Sequence, residues 1–542
     1  MTGRERVQAA IRCQPTDRIP WVPFVGCHAG QLLDIPAGDF LRSEEHVVHG
    51  VQKGIELYEP DGVPVLFDLQ IEAEAMGCEI AWSHDNPPMV AGHPLQDGKT
   101  LADIPMPSAT DGRLGLAVNA TGRLREANPE VALYGLVTGP FTLALHLLGT
   151  DIFMKMFDEP ETVIELMDFA SRVARNVGRW YVEAGTDVVA VVDPMTSQIG
   201  PDQFRQFVSP HAAAVFDEIR SAGALSSFFV CGHAQQNIEV MCETGPDNVS
   251  IDENIPLQYV RDVCLPRGIS FGGNMQLTTV LLLGSEVDAQ KNAIECMEVG
   301  GEKGFLLAPG CDLPYATPPA NLIAVGEVVR DEYKRDVVRA MAAEEGHQQL
   351  LDMSEYGQSD KVVVDIITLD SEGCAPCQYM VESVRRIAPQ FEGIVEWREH
   401  KIKYREALVF MTSLMVRNIP TICIDGRITF VSRIPSREEL IEAIQKRIFE
   451  KLRIKIQRRR ASVFVLGEDN DECRGVLETV RQAVTELGVD VEVRQITDED
   501  EIRSYGVSPR QTPAVLSARY QVKSTRTSPE LPIIKEWIKD LL

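Results

Sequence analysis

From the N-terminus to about Asp331, short apolar runs alternate with longer stretches whose apolar residues recur every three or four positions. The short runs are IPWVPFVG from Ile19, GVPVLFDL from Gly62, VALYGLVTG from Val131 and DVVAVVDP from Asp187. They continue with ALSSFFVCG from Ala224, DNVSIDE from Asp247, ISFGGNM from Ile269 and GFLLAPG from Gly304. Between most of them lie amphipathic stretches such as PETVIELMDFASRVARNVGRWYVEAG and SEVDAQKNAIECMEVGG. Near-continuous apolar strands alternating with helices predict a parallel sheet covered on its outer face. Eight such units fit a (β/α)8 TIM barrel better than an open sheet. No GxGxxG or GxxxxGK[ST] stands at a strand-to-helix junction, which weighs against nucleotide binding.

The pattern changes beyond the barrel, which is assigned residues 1–345. Residues 335–360 begin as a polar helix and end in Gly, Ser and Asp, so 346–359 is taken as a linker. Residues 360–450 then run VVVDIITL, GCAPCQYMVESVRRIAPQ, VEWREHKI, RNIPTICIDGRITFV and PSREELIEAIQKR. After a second basic helix, FEKLRIKIQRRR, residues 451–542 repeat the order with ASVFVLG, DNDECRGVLETVRQAVTELG, VDVEVRQI, RQTPAVLSARYQV and SPELPIIKEWIKDLL. Cys377 matches Cys473, and Ile419-Pro420-Thr421 matches Thr512-Pro513-Ala514. A small α/β unit is therefore predicted twice in tandem.

Composition narrows the function. The 542 residues, 44% hydrophobic and 25% charged, suit a soluble protein of two to four domains. A net charge of -27 weighs against nucleic acid, which needs a basic face, and against an anionic membrane surface. No apolar run approaches the ~20 residues that span a bilayer. The start, MTGRERVQAAIRCQP, reads as an amphipathic helix and not as a signal peptide. The twelve cysteines are scattered, so a reduced, cytoplasmic setting is expected, where a cysteine pair points to metal or redox chemistry.

In a barrel of this kind the chemistry sits at the carboxyl ends of the strands. Those ends carry Cys27 and His28, Asp68 with Glu72 and Glu74, Thr138, Asp193 with Ser197 and Gln198, Cys231 with His233, Asp252 with Glu253, Asn274 with Gln276, and Cys311 with Asp312. The set is rich in acid and sulfur and nearly free of arginine. Cys231 and Cys311 are expected to face each other across one cavity.

Cys374-Ala375-Pro376-Cys377, after a strand and at a helix start, and Asn418-Ile419-Pro420-Thr421 before the next strand resemble a thioredoxin-like or glutaredoxin-like domain. The resemblance implies a redox site of Cys374, Cys377 and a cis Pro420. A helix N-terminus would lower the Cys374 thiol. The alternative, a zinc knuckle, needs a second ligand pair, for which only Cys423 and His400 are at hand. The second repeat resembles the same fold in degenerate form, with Asn470-Asp471-Glu472-Cys473 keeping one sulfur.

The barrel resembles the uroporphyrinogen decarboxylase superfamily through Ala73-Glu74-Ala75-Met76-Gly77-Cys78, Thr138-Gly139-Pro140-Phe141-Thr142, Asp193-Pro194, Cys231-Gly232 and Ala308-Pro309-Gly310-Cys311. The last two pieces are those of its corrinoid-dependent methyltransferase branch, which includes methylcobalamin:coenzyme M methyltransferase. That resemblance implies zinc held by Cys231 and Cys311 with a histidine two residues before Cys231. Phe229 stands there instead, so His233 on the other side, or an acid such as Glu74 or Asp193, is the expected third ligand. Asp68, Glu74 and Asp193 are the candidate catalytic acids. No D-x-H-x-x-G stretch is present, so the methyl-corrinoid is expected on a partner protein, with a small thiol or folate-like compound as acceptor. One alternative is decarboxylation of a porphyrinogen, in which Asp68 would match a central aspartate, although PFVGCHAGQLL lacks the arginine that branch relies on. Another is a non-catalytic scaffold carrying the redox module. A dithiol joined to a thiol-handling barrel would either keep the barrel thiols reduced or reduce a disulfide substrate.

Overall fold

Seven of the eight apolar runs form one parallel sheet in a computed structural model of the chain, which describes residues 1–341, 356, 361–416, 418–459, 462–517 and 521–540. Its strands are β1 (Gly62–Pro64), β2 (Ala132–Thr138), β3 (Val188–Val192), β4 (Leu225–Val230), β5 (Asn248–Ile251), β6 (Ser270–Met275) and β7 (Phe305–Pro309), adjacent in chain order. The eighth run closes the curl. Trp21 bridges Leu307 in parallel, Leu307 N donates to Pro20 O at 3.0 Å, and Asp61 N donates to Trp21 O at 2.8 Å. Pro20 and Pro23 have no N–H to give to a ladder, so this run seals the seam without becoming a regular strand. The result is a TIM-like barrel.

Two apolar layers hold it. Inside, Tyr134, Leu136, Ala190, Val192, Phe229 and Leu306 fill the lumen as packed side chains. Outside, helices bury one face each. The 25-residue helix Pro160–Ala184 buries Val163, Leu166, Met167, Ala170, Val173, Ala174, Val177 and Tyr181, the spacing that places side chains on one stripe. Each buried Val, Leu or Met among them contributes roughly 1.5–3 kcal/mol over its exposed state. That helix stops where Gly185 takes φ +110°, a left-handed conformation that costs glycine little.

The chain divides into two compact units, Met1–Arg437 and Glu438–Leu542. The first also contains a four-stranded sheet of β8 (Val362–Thr368), β9 (Val395–Lys401), β10 (Thr421–Ile424) and β11 (Arg427–Val431), in the order β9-β8-β10-β11. The second contains β12 (Ser462–Leu466), β13 (Glu492–Ile496), β14 (Ala514–Ser517) and β15 (Gln521–Thr525), in the order β13-β12-β14-β15. In both, the first pair is parallel and the other two are antiparallel. The Ile419–Pro420 and Thr512–Pro513 bonds, just before β10 and β14, are both cis. The internal repeat in the sequence is thus a repeat of topology.

One element differs from expectation. PSREELIEAIQKR and FEKLRIKIQRRR do not form two helices; residues Arg437–Arg459 form one, because no Gly or Pro interrupts the sequence between them. The division expected at 450/451 therefore falls within a helix. The expected linker 346–359 lies, apart from Tyr356, outside the described residues. Among the described residues, no helix is long and apolar enough to cross a membrane.

Candidate functional site

Two strand ends bring sulfur to the barrel mouth. β4 stops at Val230, Cys231 follows, and Gly232 turns at φ +85°, a region that L side chains avoid. The turn is pinned from the next strand, since Gly232 N donates to the Asp252 carboxylate. Asp252 also accepts from Asn254 N at 3.0 Å and from Asn254 Nδ2 at 2.8 Å. β7 ends at Pro309, and Gly310 carries the chain into Cys311. A Cβ at Gly310 would lie 2.2 Å from Glu253 Oε2 and 3.0 Å from Glu253 N, so glycine lets the Glu253 carboxyl approach the turn this closely. The Cys231 and Cys311 sulfurs are 3.0 Å apart. The hydrogen bond with Cys311, burial, and the nearby Cys311, Asp252 and Cys374 groups all push the Cys231 thiol well up.

The third ligand expected for zinc does not join them. Phe229 points into the lumen, 2% exposed, with ring centroids 5.5 Å from Phe24 and 6.0 Å from Phe67. His233 is exposed and does not line the cavity that the two cysteines share. It was expected on the Cys231 face because residues two apart on a strand point the same way. The left-handed turn at Gly232 ends the strand geometry before His233 is reached. Among the described residues no three His, Cys, Asp or Glu side chains come together as a metal-holding group. The donor set present therefore does not fit the closed or three-ligand arrangements typical of zinc.

The three acids singled out from sequence are engaged elsewhere. Asp68 is buried and ion-paired with Arg113, whose Nε also donates to Glu74 at 2.6 Å. Asp193 caps the helix Pro140–Leu148, accepting from Thr142 N at 2.8 Å, Thr142 Oγ1 at 2.6 Å and Phe141 N at 3.1 Å. Burial raises it to about 6 against those bonds. His28 is likewise structural. Its ring faces Tyr58 Oη at 2.6 Å and the Tyr315 carbonyl at 3.1 Å, and burial lowers it to about 4.

Of the five acids that line the cavity, Asp85 and Asp370 pair with Lys403, and the other three are Asp252, Glu253 and Asp312. Glu253 Oε1 accepts from Leu277 N at 3.3 Å, while Oε2 has no partner. Burial, then the Asp252 charge, raises Glu253 to about 8. Asp312 Oδ1 is also unpartnered, and burial pushes its carboxyl well above the usual range. Gly26 makes room for it, since a Cβ there would lie 1.7 Å from Asp312 Oδ1. Two protonatable carboxyls thus flank the thiol pair. All three stood among the strand-end residues in the sequence, yet nothing local distinguished them from Asp68 or Asp193.

The small β8–β11 sheet closes this mouth. Gln198 holds it at both ends of its amide, donating to Ser432 O at 3.1 Å and accepting from Ile434 N at 2.9 Å. Gln378 Nε2 donates to Val90 O at 2.9 Å, Lys403 Nζ lies 3.3 Å from Asp85, and Tyr379 stacks on His93 at 6.1 Å. Gly373 sits so close to Asn86 that a Cβ would meet its Oδ1 at 2.8 Å. The loop 373–377 and Ile419-Pro420 thereby form one wall of the cavity, with Cys374 and Cys377 both on it. Cys374 stands at the N-cap position of the helix Ala375–Ile387 without a side-chain capping bond. The lowering expected there is overridden. The hydrogen bond with Cys377 and burial push the Cys374 thiol well up, and the Cys377 backbone N–H opposes them.

The cavity volume is about 150 Å3. Lys403 is its one cationic lining residue among the described residues, and it is already paired with Asp370 at 2.7 Å. Such a space suits a small neutral or thiol-bearing molecule. It can hold thiols, exclude water and offer a proton acceptor at Glu253.

Comparison with known proteins concerns the barrel part of the chain. The model of the uroporphyrinogen decarboxylase (URO-D) family matches residues 2–332. Methylcobamide:CoM methyltransferase MtbA of Methanosarcina acetivorans is 27% identical over 337 residues, covering 61% of this chain and 98% of that protein. A uroporphyrinogen decarboxylase of Myxococcus xanthus is 25% identical over 346 residues, covering 60% of this chain and 96% of its own length. A solved methyltransferase from Methanosarcina mazei superposes with a TM-score of 0.56 at 25% identity, covering 62% of this chain and 99% of that one.

Proposed function

The chain belongs to the uroporphyrinogen decarboxylase family, and from that premise we propose that it transfers a methyl group from a corrinoid on a partner protein to a small thiol. The observation that carries this reading is the Cys231–Cys311 pair, 3.0 Å apart in a cavity without an arginine among its described lining residues. A polycarboxylate porphyrinogen needs cations, and the buried Arg113 is already taken by Asp68 and Glu74. The volume of about 150 Å3 is also well below the ~300–1,000 Å3 of sites for larger ligands. Both points favour a small acceptor over a tetrapyrrole. Similarity to methylcobamide:CoM methyltransferases over nearly their full length supports the donor class.

When it docks, the corrinoid supplies an electrophilic methyl group. The chain's own residues do the remaining work. The acceptor thiol enters between the Cys231–Cys311 edge and the Glu253–Asp312 edge. Unpartnered Glu253 Oε2 takes its proton in the ionised fraction, which grows as pH rises toward 8. Asp252 holds the Gly232 turn so that Cys231 keeps its place. No step is assigned to zinc, because a third donor is not brought to the pair. The mouth is too confined for a corrin ring while the loop 373–377 covers it, so methyl transfer requires the small sheet to lift. We read that sheet and its repeat as thioredoxin-like domains, a reading supported by their strand order and by the two cis-prolines.

The test is competition between the two family activities. The full chain is given methylcobalamin with coenzyme M or another small thiol, and separately a porphyrinogen. Methylated thiol detected by mass spectrometry, with no carbon dioxide from the porphyrinogen, is the expected result. Carbon dioxide release without thiol methylation overturns the reading.

A further inference from the structure

Five cysteines line one cavity, the buried Cys27 and two pairs. Cys231 and Cys311 come from the barrel, and Cys374 and Cys377 come from the small sheet docked over it. The docking is specific, because Gln198, Gln378 and Lys403 each tie the two parts together, and Gly373 is pressed on Asn86. In this arrangement the CAPC loop is turned inward, away from any disulfide on another protein. The sulfurs it shares the cavity with are those of the chain itself. Cys374 is the outer member of its pair, half-buried where Cys377 is fully buried, and it lies near enough to Cys231 to act on it electrostatically.

We propose that the Cys374–Cys377 dithiol exchanges with a Cys231–Cys311 disulfide inside one chain, returning the barrel thiols to the reduced state. The exchange stands independently of the methyl-transfer reading. A peroxide oxidises the barrel pair, forming the Cys231–Cys311 bond while the peroxide is reduced to water or alcohol. Cys374 gives its proton to solvent and attacks the Cys231 sulfur, breaking the Cys231–Cys311 bond and releasing the Cys311 thiolate, which takes up a proton. The Cys377 thiolate attacks Cys374 in turn, breaking the mixed disulfide and releasing the Cys231 thiolate. The two electrons now missing from Cys374–Cys377 are replaced by an external dithiol, which leaves as its own disulfide. Of the two roles open to an attached dithiol, the inward-facing loop favours service to the barrel thiols.

The experiment uses the full chain with the second cysteine of each pair removed, Cys311→Ser with Cys377→Ser. After a stoichiometric pulse of hydrogen peroxide, non-reducing peptide mapping is expected to find the Cys231 and Cys374 peptides joined within one chain in most molecules. Their absence, or a crosslink only between chains or to Cys27, overturns the proposal. A second measurement uses milder variants. The wild type and Cys374→Ser are oxidised with peroxide and then given limiting dithiothreitol. Recovery of free Cys231 and Cys311, read by mass after alkylation, is expected to be at least tenfold slower in Cys374→Ser. Equal recovery overturns the proposal.

Discussion

Replacing Phe229 with histidine puts a nitrogen where the family resemblance in the sequence led to the expectation of a metal ligand, at a position this chain uses for packing. The ring is 2% exposed and contacts Phe24 and Phe67 at centroid distances of 5.5 and 6.0 Å. Losing two aromatic pairs costs about 0.5–1.5 kcal/mol each. The smaller apolar surface costs about 1–2 kcal/mol more. A buried imidazole nitrogen without a partner adds about 1–3 kcal/mol. Phe229→His is therefore expected to destabilise the barrel by about 3–8 kcal/mol before relaxation, lowering Tm by ~3–9 °C in a unit of this size. Phe229→Leu, which keeps the lumen apolar, is expected to cost about half as much or less. Thermal unfolding with and without equimolar zinc completes the assay. Zinc is expected to restore much of the loss in Phe229→His, and to do so only while Cys231 is present. An unchanged Tm in Phe229→His would refute the packing role. Zinc stabilisation of the wild type equal to that of the variant would refute the incomplete donor set.

Three further outcomes follow from the same geometry. Glu253 is raised from 4.5 to about 8 by burial, so the folded chain keeps a proton that the unfolded chain releases. That contribution is complete below about pH 4.5 and is lost as pH rises toward 8, so the stability of Glu253→Gln relative to wild type should rise between pH 5.5 and 8 in urea titrations; parallel curves would contradict it. Asp193→Ala removes the cap on Pro140–Leu148 and leaves the Phe141 and Thr142 N–H groups unpaired, so a loss of about 2–4 kcal/mol is expected in chemical denaturation. Because Asp193 does not line the cavity, KM for the thiol should stay unchanged in the folded fraction. Gln198→Ala removes two ties between barrel and small sheet. Alkylation of Cys231 by a maleimide is expected to quicken several-fold, and an unchanged rate would show that the covering does not limit access.

The barrel was legible because buried parallel strands such as VVAVV in β3 and FLLAP in β7 need apolar residues on both faces. The seam at Trp21 was legible as an apolar run but not as a single bridge, which depends on the flanking prolines meeting Leu307 far along the chain. Cys231 and Cys311 could be placed from the strand-end rule alone. His233 could not, since the rule of alternating faces holds only while the backbone stays extended, and Gly232 breaks it. Asp193 and Asp252 look alike in sequence, each directly after a strand. What separates them is long-range: a helix N-terminus at Thr142 takes one, and the Gly232 turn beside the cavity takes the other. The covering of the mouth by the loop 373–377 is a docking event between segments nearly 300 residues apart, such as Gln378 with Val90. No local pattern encodes it.

The most direct test of the account is a single-turnover reaction of the full chain with deuterium-labelled methylcobalamin and a small thiol. The labelled methyl group is expected in a thioether, with the rate falling at least 100-fold in Cys231→Ser, a loss of ~2.7 kcal/mol in transition-state stabilisation. Label transfer at the same rate with and without Cys231, or no transfer by the wild type, would contradict it.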